Sequence, residues 1–239
     1  MPTPPRPTIP RPTIPRPAIP RPAIPGATVV PLRDGPTGLE VLLVKRAAAV
    51  DYGGMWAFPG GRVEHDDAHP DDPDDEIERA RRTAVREADE EVGLTFRADD
   101  LVPFSHWTGG ARQARLYAAW YFLAPAPTDT VTCDGYEIVD HRWITPAEAV
   151  ARRDLGEIGV VAPTWVTLHT LTAVDSVSGA LALATDRGPV VYLSRLTVID
   201  DQRIVLWDGD AGYATTDPAV PGPRHRLTMA ETGWAFERT

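Results

Sequence analysis

Apolar positions along the chain mark a series of short strands interrupted by a few helices. Ala27–Leu32 and Leu39–Lys45 are β-rich runs separated by Asp34-Gly35-Pro36-Thr37-Gly38, so they read as a hairpin opening a sheet. Met55–Phe58 predicts a short strand, stopped by a Pro59-Gly60-Gly61 turn. From about Asp74 to Val92 the period becomes helical. Ile77, Ala80, Ala84, Ala88 and Val92 form a thin apolar stripe, acids crowd the first turn, Pro73 stands at the start and Gly93 follows the end. Leu116–Leu123 predicts a buried strand and Glu137–Ile144 another. Pro146–Arg153 predicts a helix capped by Thr145, and Pro163–Val174 a further helix with Trp165, Leu168 and Leu171 on one side. From Val190 the pattern returns to strands, Val190–Ile199 and Arg203–Trp207, with weaker runs beyond. Strands mixed with single helices predict an α/β or α+β sandwich with a β-rich C-terminal extension.

The start of the chain breaks this pattern. Arg6–Pro25 repeats a five-residue unit four times, Arg-Pro-Thr-Ile-Pro twice and Arg-Pro-Ala-Ile-Pro twice. Proline fixes φ and lacks the backbone donor, which excludes helix and central strand and leaves an extended, proline-rich tail. Its Arg and Ile side chains suit a docking partner or a solvated tail, and composition favours the second. The chain therefore divides into a tail (1–25), a main domain (26–175) and a C-terminal extension (176–239) packed on it. At 239 residues it is long enough to bury a sizeable core.

Charge narrows the function. The net charge of −10 argues against a nucleic-acid polymer or an anionic membrane as partner, though not against small phosphorylated ligands. No apolar run approaches the roughly 20 residues that span a bilayer. The N-terminus shows no apolar signal region, so a cytoplasmic setting is expected. A single cysteine, Cys133, excludes an intramolecular disulfide and a thiolate metal cluster. A homodimer stays open.

The stretch that carries chemistry is Arg86-Glu87-Ala88-Asp89-Glu90-Glu91-Val92-Gly93-Leu94. On a helix, Glu87, Glu90 and Glu91 fall at i, i+3 and i+4 and share one face. Three carboxylates there repel one another unless a cation neutralises them, and hard divalent ions, Mg²⁺ first and Mn²⁺ next, suit oxygen ligands. The strand and glycines upstream let backbone carbonyls approach such an ion. Arg86, four residues before Glu90, can hold the glutamate rotamers. A metal site of this kind suits a substrate whose phosphates bring their own negative oxygens.

Gly61 followed by Arg-Glu-Ala-Asp-Glu-Glu-Val-Gly-Leu resembles the Nudix box, Gly-x5-Glu-x7-Arg-Glu-U-x-Glu-Glu-x-Gly-U with U apolar. The second half matches throughout, with Ala88 as the small apolar position. In the first half Asp67 stands where the box has Glu, and residues 62 to 85 make a longer span than the pattern's, with an acidic, proline-bearing loop (His65–Pro73). Other segments resemble the peroxisomal-type coenzyme A diphosphatase branch and its bacterial relatives. These are Leu42-Leu43-Val44-Lys45-Arg46, Phe58-Pro59-Gly60-Gly61-Arg62-Val63-Glu64 and Trp143-Ile144-Thr145-Pro146.

The resemblance implies a Nudix-type α/β/α sandwich with a mixed sheet. It also implies a Mg²⁺- or Mn²⁺-dependent hydrolase that cleaves a small-molecule diphosphate linked to another moiety. By the same resemblance the metal ligands are the carbonyl of Gly60 and the carboxylates of Glu87, Glu90 and Glu91. Arg86 orients the glutamates, Gly61 is the box glycine and Asp67 the loop acid. Glu137, with Glu64 behind it, is the distant acid that serves as base or extra ligand. Coenzyme A esters, dinucleotides, ADP-ribose, nucleotide sugars and damaged nucleoside triphosphates are the substrates in play. The alternatives are a non-catalytic ligand-sensing Nudix domain and an isoprenoid diphosphate isomerase, which needs a catalytic cysteine. His106 and His141, beside Trp107 and Trp143, read as half-buried strand positions, and Asp208-Gly209-Asp210 as a turn.

Overall fold

The structure, a computed structural model, describes residues 23–68, 75–109, 116–231 and 233–239. The repeats up to residue 22 and residues 69–74 of the loop before the acidic helix lie outside them. Strand β1 (Ile24–Gly35) is the hub of the first sheet. It pairs in parallel with β6 (Tyr117–Pro125), from Ile24 opposite Tyr117 to Leu32 opposite Pro125. Its other side is shared by two antiparallel partners. β2 (Gly38–Arg46) takes Leu32 to Gly35, and β4 (Gly60–Arg62) takes Gly26 to Thr28. Beyond β2 lie β3 (Trp56–Ala57) and β7 (Ile138–Ile144), and beyond β6 lie β5 (Val102–Thr108) and β8 (Val190–Leu193). β8 runs parallel to β5, which makes the sheet mixed.

Both faces of this sheet are covered, so its central strands are apolar on both sides. Ala27 and Val29 of β1 face one core, Val30 and Leu32 the other. Helix α1 (Glu76–Val92) covers the first face through Ala80, Ala84, Ala88 and Val92. Asp75 caps it by accepting from the Glu78 N–H, and Gly93 ends it at φ 68°, a left-handed turn that glycine adopts without strain. The opposite face carries α2 (Pro146–Asp154), α3 (Ala162–Leu171) and α4 (Val177–Arg187). Thr145 caps α2 as its sequence predicts.

A second sheet holds β9 (Arg195–Ile199), β10 (Gln202–Leu206), β11 (His225–Ala230) and β12 (Gly233–Arg238), all antiparallel, in the order β12-β11-β10-β9. Aromatic rings join it to the first. Trp107 stacks on Tyr192 at 3.8 Å, Trp207 meets both edge-on at 5.7 and 5.1 Å, and Trp234 lies 5.8 Å from Trp165. Such pairs add to the burial of their large apolar areas. One buried ion pair braces the second sheet. Arg226 donates to both Asp210 oxygens at 2.7 Å, and the Gly212 and His225 N–H groups complete the carboxylate's bonds.

The fold is the expected Nudix-type sandwich with a mixed sheet and a β-rich C-terminal addition, with four local corrections. Val190–Ile199 is not one strand, because the chain breaks at Ser194 and its halves enter different sheets. Gly60-Gly61 is not a turn but part of β4, hydrogen-bonded along β1. The stretch expected as a tail enters β1 at Ile24. There Ile24 donates its N–H to Leu116 and Pro25, which has none, contributes its carbonyl to Val63. α4 had no counterpart in the sequence reading, although Ser176 caps it and Gly188 ends it. Among the described residues no helix is long and apolar enough to cross a membrane.

Candidate active site

The site lies where α1 crosses β4. Gly60 donates its N–H to Glu91 Oε2 at 2.9 Å, tying the helix to the strand. A Cβ at Gly61 would overlap the Glu87 carboxylate, and one at Gly60 would overlap the backbone of Ala27 and Thr28. Glycine is needed at Gly60, where the clash is with backbone and φ is 156°, whereas at Gly61 a Cβ would make the Glu87 side chain swing away.

The three glutamates differ in setting. Glu90 is exposed, Glu87 half-buried and Glu91 only 4% exposed, so the shared face is graded from water into the core. Burial pushes the Glu91 carboxyl up to about 8. The Gly60 N–H opposes the shift, Glu87 adds to it, Arg46 opposes it and Glu137 adds again. Burial also raises Glu87, against the pull of Arg86 and with help from Glu90 and Glu137.

Arg86 is the organiser. One nitrogen, Nη1, lies 3.0 Å from Glu87 Oε1 and 2.9 Å from Glu90 Oε2. Its Nε and Nη2 hold Asp67 in a fork, each at 3.1 Å, and Nη2 also donates to the Arg62 carbonyl. Asp67 is buried on a one-turn helix over His65–Asp67 and accepts further bonds from the Glu64 N–H and the Thr83 hydroxyl. Its burial works against the charge, but these bonds hold its carboxyl below the usual range. Asp67 is thus the anchor of Arg86. It is brought there by the one-turn helix, despite the long loop between Asp67 and α1.

Glu137 directly precedes β7, and its carbonyl accepts from the Ala47 N–H at the end of β2. Arg46 spans it and Glu91, with Nη2 3.6 Å from Glu137 Oε2 and Nη1 3.7 Å from Glu91 Oε1. The role of Arg46 as a bridge was not legible, because Arg46 and Glu137 are 91 positions apart and meet only through the pairing of β2 with β7. Glu64 is exposed and serves as the cap of the one-turn helix.

The other singled-out residues stand apart. His106 and Trp107 are buried in β5, and Trp143 is covered by Arg33 at 4.5 Å. His141 Nδ1 lies 3.5 Å from Cys133 Sγ, a neighbour that sequence alone did not reveal, yet burial, Asp140 and Asp134 raise the thiol above its ordinary value. Asp210 is the buried ion-pair partner described above, in a turn as expected.

The donor chemistry fits a hard divalent cation. Carboxylate oxygens and the Gly60 backbone gather at one helix–strand crossing, and two of the carboxyls, Glu87 and Glu91, carry a raised affinity for protons that a nearby cation would reverse. Among the described residues no group of three or more His, Cys, Asp or Glu side chains is arranged to hold a metal ion as it stands. Glu87 and Glu90 are turned onto Arg86, and release from that guanidinium would free both. We expect Gly61→Ala to force the Glu87 carboxylate off its place and weaken Mn²⁺ affinity by about 10- to 100-fold. Titrating Mn²⁺ into both proteins by electron paramagnetic resonance checks this, and superimposable curves would show that Glu87 needs no such place.

Comparison with known proteins assigns the family and the fold. The NUDIX domain family model matches residues 22–163. The CTP pyrophosphohydrolase of Escherichia coli (strain K12) is 30% identical over 118 residues, covering 49% of this chain and 73% of that protein. The crystal structure of a NUDIX hydrolase from Alicyclobacillus acidocaldarius superimposes with a TM-score of 0.58 at 21% identity, covering 70% of this chain and 97% of the other.

Proposed function

The chain belongs to the Nudix family and is a hydrolase of diphosphate bonds; from that premise we propose that it cleaves a nucleoside diphosphate derivative or nucleoside triphosphate with Mg²⁺ or Mn²⁺. The observation that carries this reading is the graded row of glutamates fastened to β4, with Glu91 bound to the Gly60 N–H and Glu87 lying over Gly61. Glu87, Glu90, Glu91 and the Gly60 carbonyl would hold the metal. When bound, it lowers the pKa of coordinated water and offsets the charge that develops on the diphosphate.

The chain's own residues do the rest. Arg86, anchored on Asp67, holds Glu87 and Glu90 side by side through one nitrogen. Glu137, with its charge steadied by Arg46, accepts the proton from the attacking water. The water oxygen bonds to phosphorus while the bridging oxygen leaves with its electron pair, yielding two phosphate-bearing or phosphate-containing products.

The relative's name makes CTP the first substrate to try. The Leu42-Leu43-Val44-Lys45-Arg46 likeness adds coenzyme A, although Arg46 is engaged with Glu91, Glu137 and the Asp51 carbonyl. The test is a panel of CTP, the other nucleoside triphosphates, coenzyme A, ADP-ribose and a dinucleoside polyphosphate. Each is incubated with the protein and Mg²⁺, Mn²⁺ or EDTA, with products identified by mass spectrometry. We expect turnover in the metal arms only. No product from any compound, or product formed equally in EDTA, would overturn the proposal.

A further inference from the structure

A pocket lies between the two sheets, away from the Glu87, Glu90 and Glu91 carboxylates. Its volume is about 400 Å³, and none of its lining residues belongs to α1 or β4. Three arginines reach it from three elements: Arg187 at the end of α4, Arg224 just before β11, and Arg238 at the end of β12. Arg224 uses one nitrogen on the Val220 carbonyl, and Arg187 lies over the Phe104 ring and reaches the Phe104 carbonyl at 3.4 Å. Among the described residues none of the three forms an ion pair. The acidic side chain among the lining residues is that of Asp208. The pocket therefore keeps a net positive charge.

His225 makes the wall specific. It is 6% exposed, and its Nε2 is buried with no hydrogen-bond partner. Its Nδ1 lies 2.6 Å from the Asp208 carbonyl, which can only accept, so Nδ1 carries the proton. Nε2 is left to gain a proton when an acceptor arrives. A buried polar atom without a partner is costly, and the ring that carries it packs against Tyr192, Trp207 and Phe236, with Arg238 the cation that acts on it. Nearby positive charge is already in excess. Burial lowers the Arg187 guanidinium, with Tyr192 opposing and Arg238 adding, and burial likewise lowers His225 against its bond to Asp208, with Arg238 adding again.

We propose that this pocket is an anion site that takes the phosphate group of a small organic phosphate, held by Arg187, Arg224, Arg238 and His225. Arginine forks match phosphate oxygens, and the space exceeds what a bare phosphate fills, which points to a ligand of nucleoside-monophosphate size. Binding takes up a proton at His225 Nε2. Arg238 resists that proton, while Asp208, Asp210 and the phosphate itself favour it, and the Tyr192 ring packs on the imidazole at 5.6 Å. Affinity therefore falls as pH rises.

The test is calorimetric titration of the full chain in EDTA with two probes, inorganic phosphate and AMP. We expect saturable binding with AMP the tighter of the two, and heats that change with the buffer's ionisation enthalpy. Arg238→Gln, at an exposed strand end, should weaken binding at least tenfold, and Arg187→Gln should do the same. Both variants should keep the melting temperature within a few degrees. Phosphate binding as tightly as AMP would leave the anion site standing and remove only the organic part. Absence of saturable binding by either probe would overturn the proposal. So would saturable binding that both arginine variants retain.

Discussion

Glu91→Gln is expected to cut turnover by roughly 10²-fold or more while making the metal-free protein more stable. Glutamine keeps the acceptor oxygen for the Gly60 N–H and loses only the charge. The stability change follows from linkage. The folded-state carboxyl is raised from 4.5 to about 8, so the folded chain binds more protons than the unfolded chain between those values. Stability therefore falls as pH rises through that window, and at pH 8 the deficit reaches up to about 5 kcal/mol. Removing the charge removes the deficit. Thermal melts of the two proteins at pH 5 and pH 8 in EDTA read it out, with the variant gaining at pH 8 and little at pH 5. Adding Mn²⁺ should stabilise the wild type and not the variant. A variant that turns over normally would remove Glu91 from the site, and one that melts lower at pH 8 would refute the account of its burial.

The second large effect is in the C-terminal sheet. Arg226→Met is expected to cost about 3–5 kcal/mol, because it leaves the Asp210 carboxylate buried without its cation. The pair Arg226→Met with Asp210→Asn should recover part of that loss, since a neutral amide oxygen removes the unpaired charge and still accepts from the buried N–H donors. In the wild type the Asp210 carboxyl works against burial, but Arg226 and the two N–H donors hold it at about 2 rather than 3.8. A lowered carboxyl stabilises the fold at pH values above 3.8, by about 2 kcal/mol here, and this contribution disappears as pH falls through 2. Urea unfolding at pH 7 and pH 3 measures both. Equal losses in the single and double variants would mean that packing around Arg226, rather than the charge, holds the sheet.

Much of this was legible in the sequence because local signals agreed with the global fold. The alanine stripe, the acidic first turn and Gly93 fixed α1 to within two residues of its end, and the row Glu87, Glu90, Glu91 followed from helical spacing alone. What spacing cannot show is depth. Glu91 lies toward the alanine side of the row, so the helix that turns Glu90 into water presses Glu91 onto β4. The glycine pair was read as a turn because glycine and proline usually punctuate chains, whereas here small residues admit a helix carboxylate above a strand. α4 was missed because it lacks an acidic first turn and its apolar residues 180–184 run without a break, which hides the helical period. Asp67 was located by counting from Gly61, yet its bond to Arg86 across 19 positions needed the tertiary structure.

The parallel pairing of β8 with β5 sets the order in which the molecule can be completed on the ribosome. The last residue of β5 is 108 and the last of β8 is 193, so 85 further residues must be made before β5 gains its second neighbour. At about 5–20 residues per second, this takes roughly 4–17 seconds. Throughout that interval the nascent chain presents a hydrogen-bonding row along Ser105–Thr108, including Trp107, to any other strand it meets. A slower translation rate over residues 109 to 193 should thus lower the soluble yield without touching the finished protein's stability.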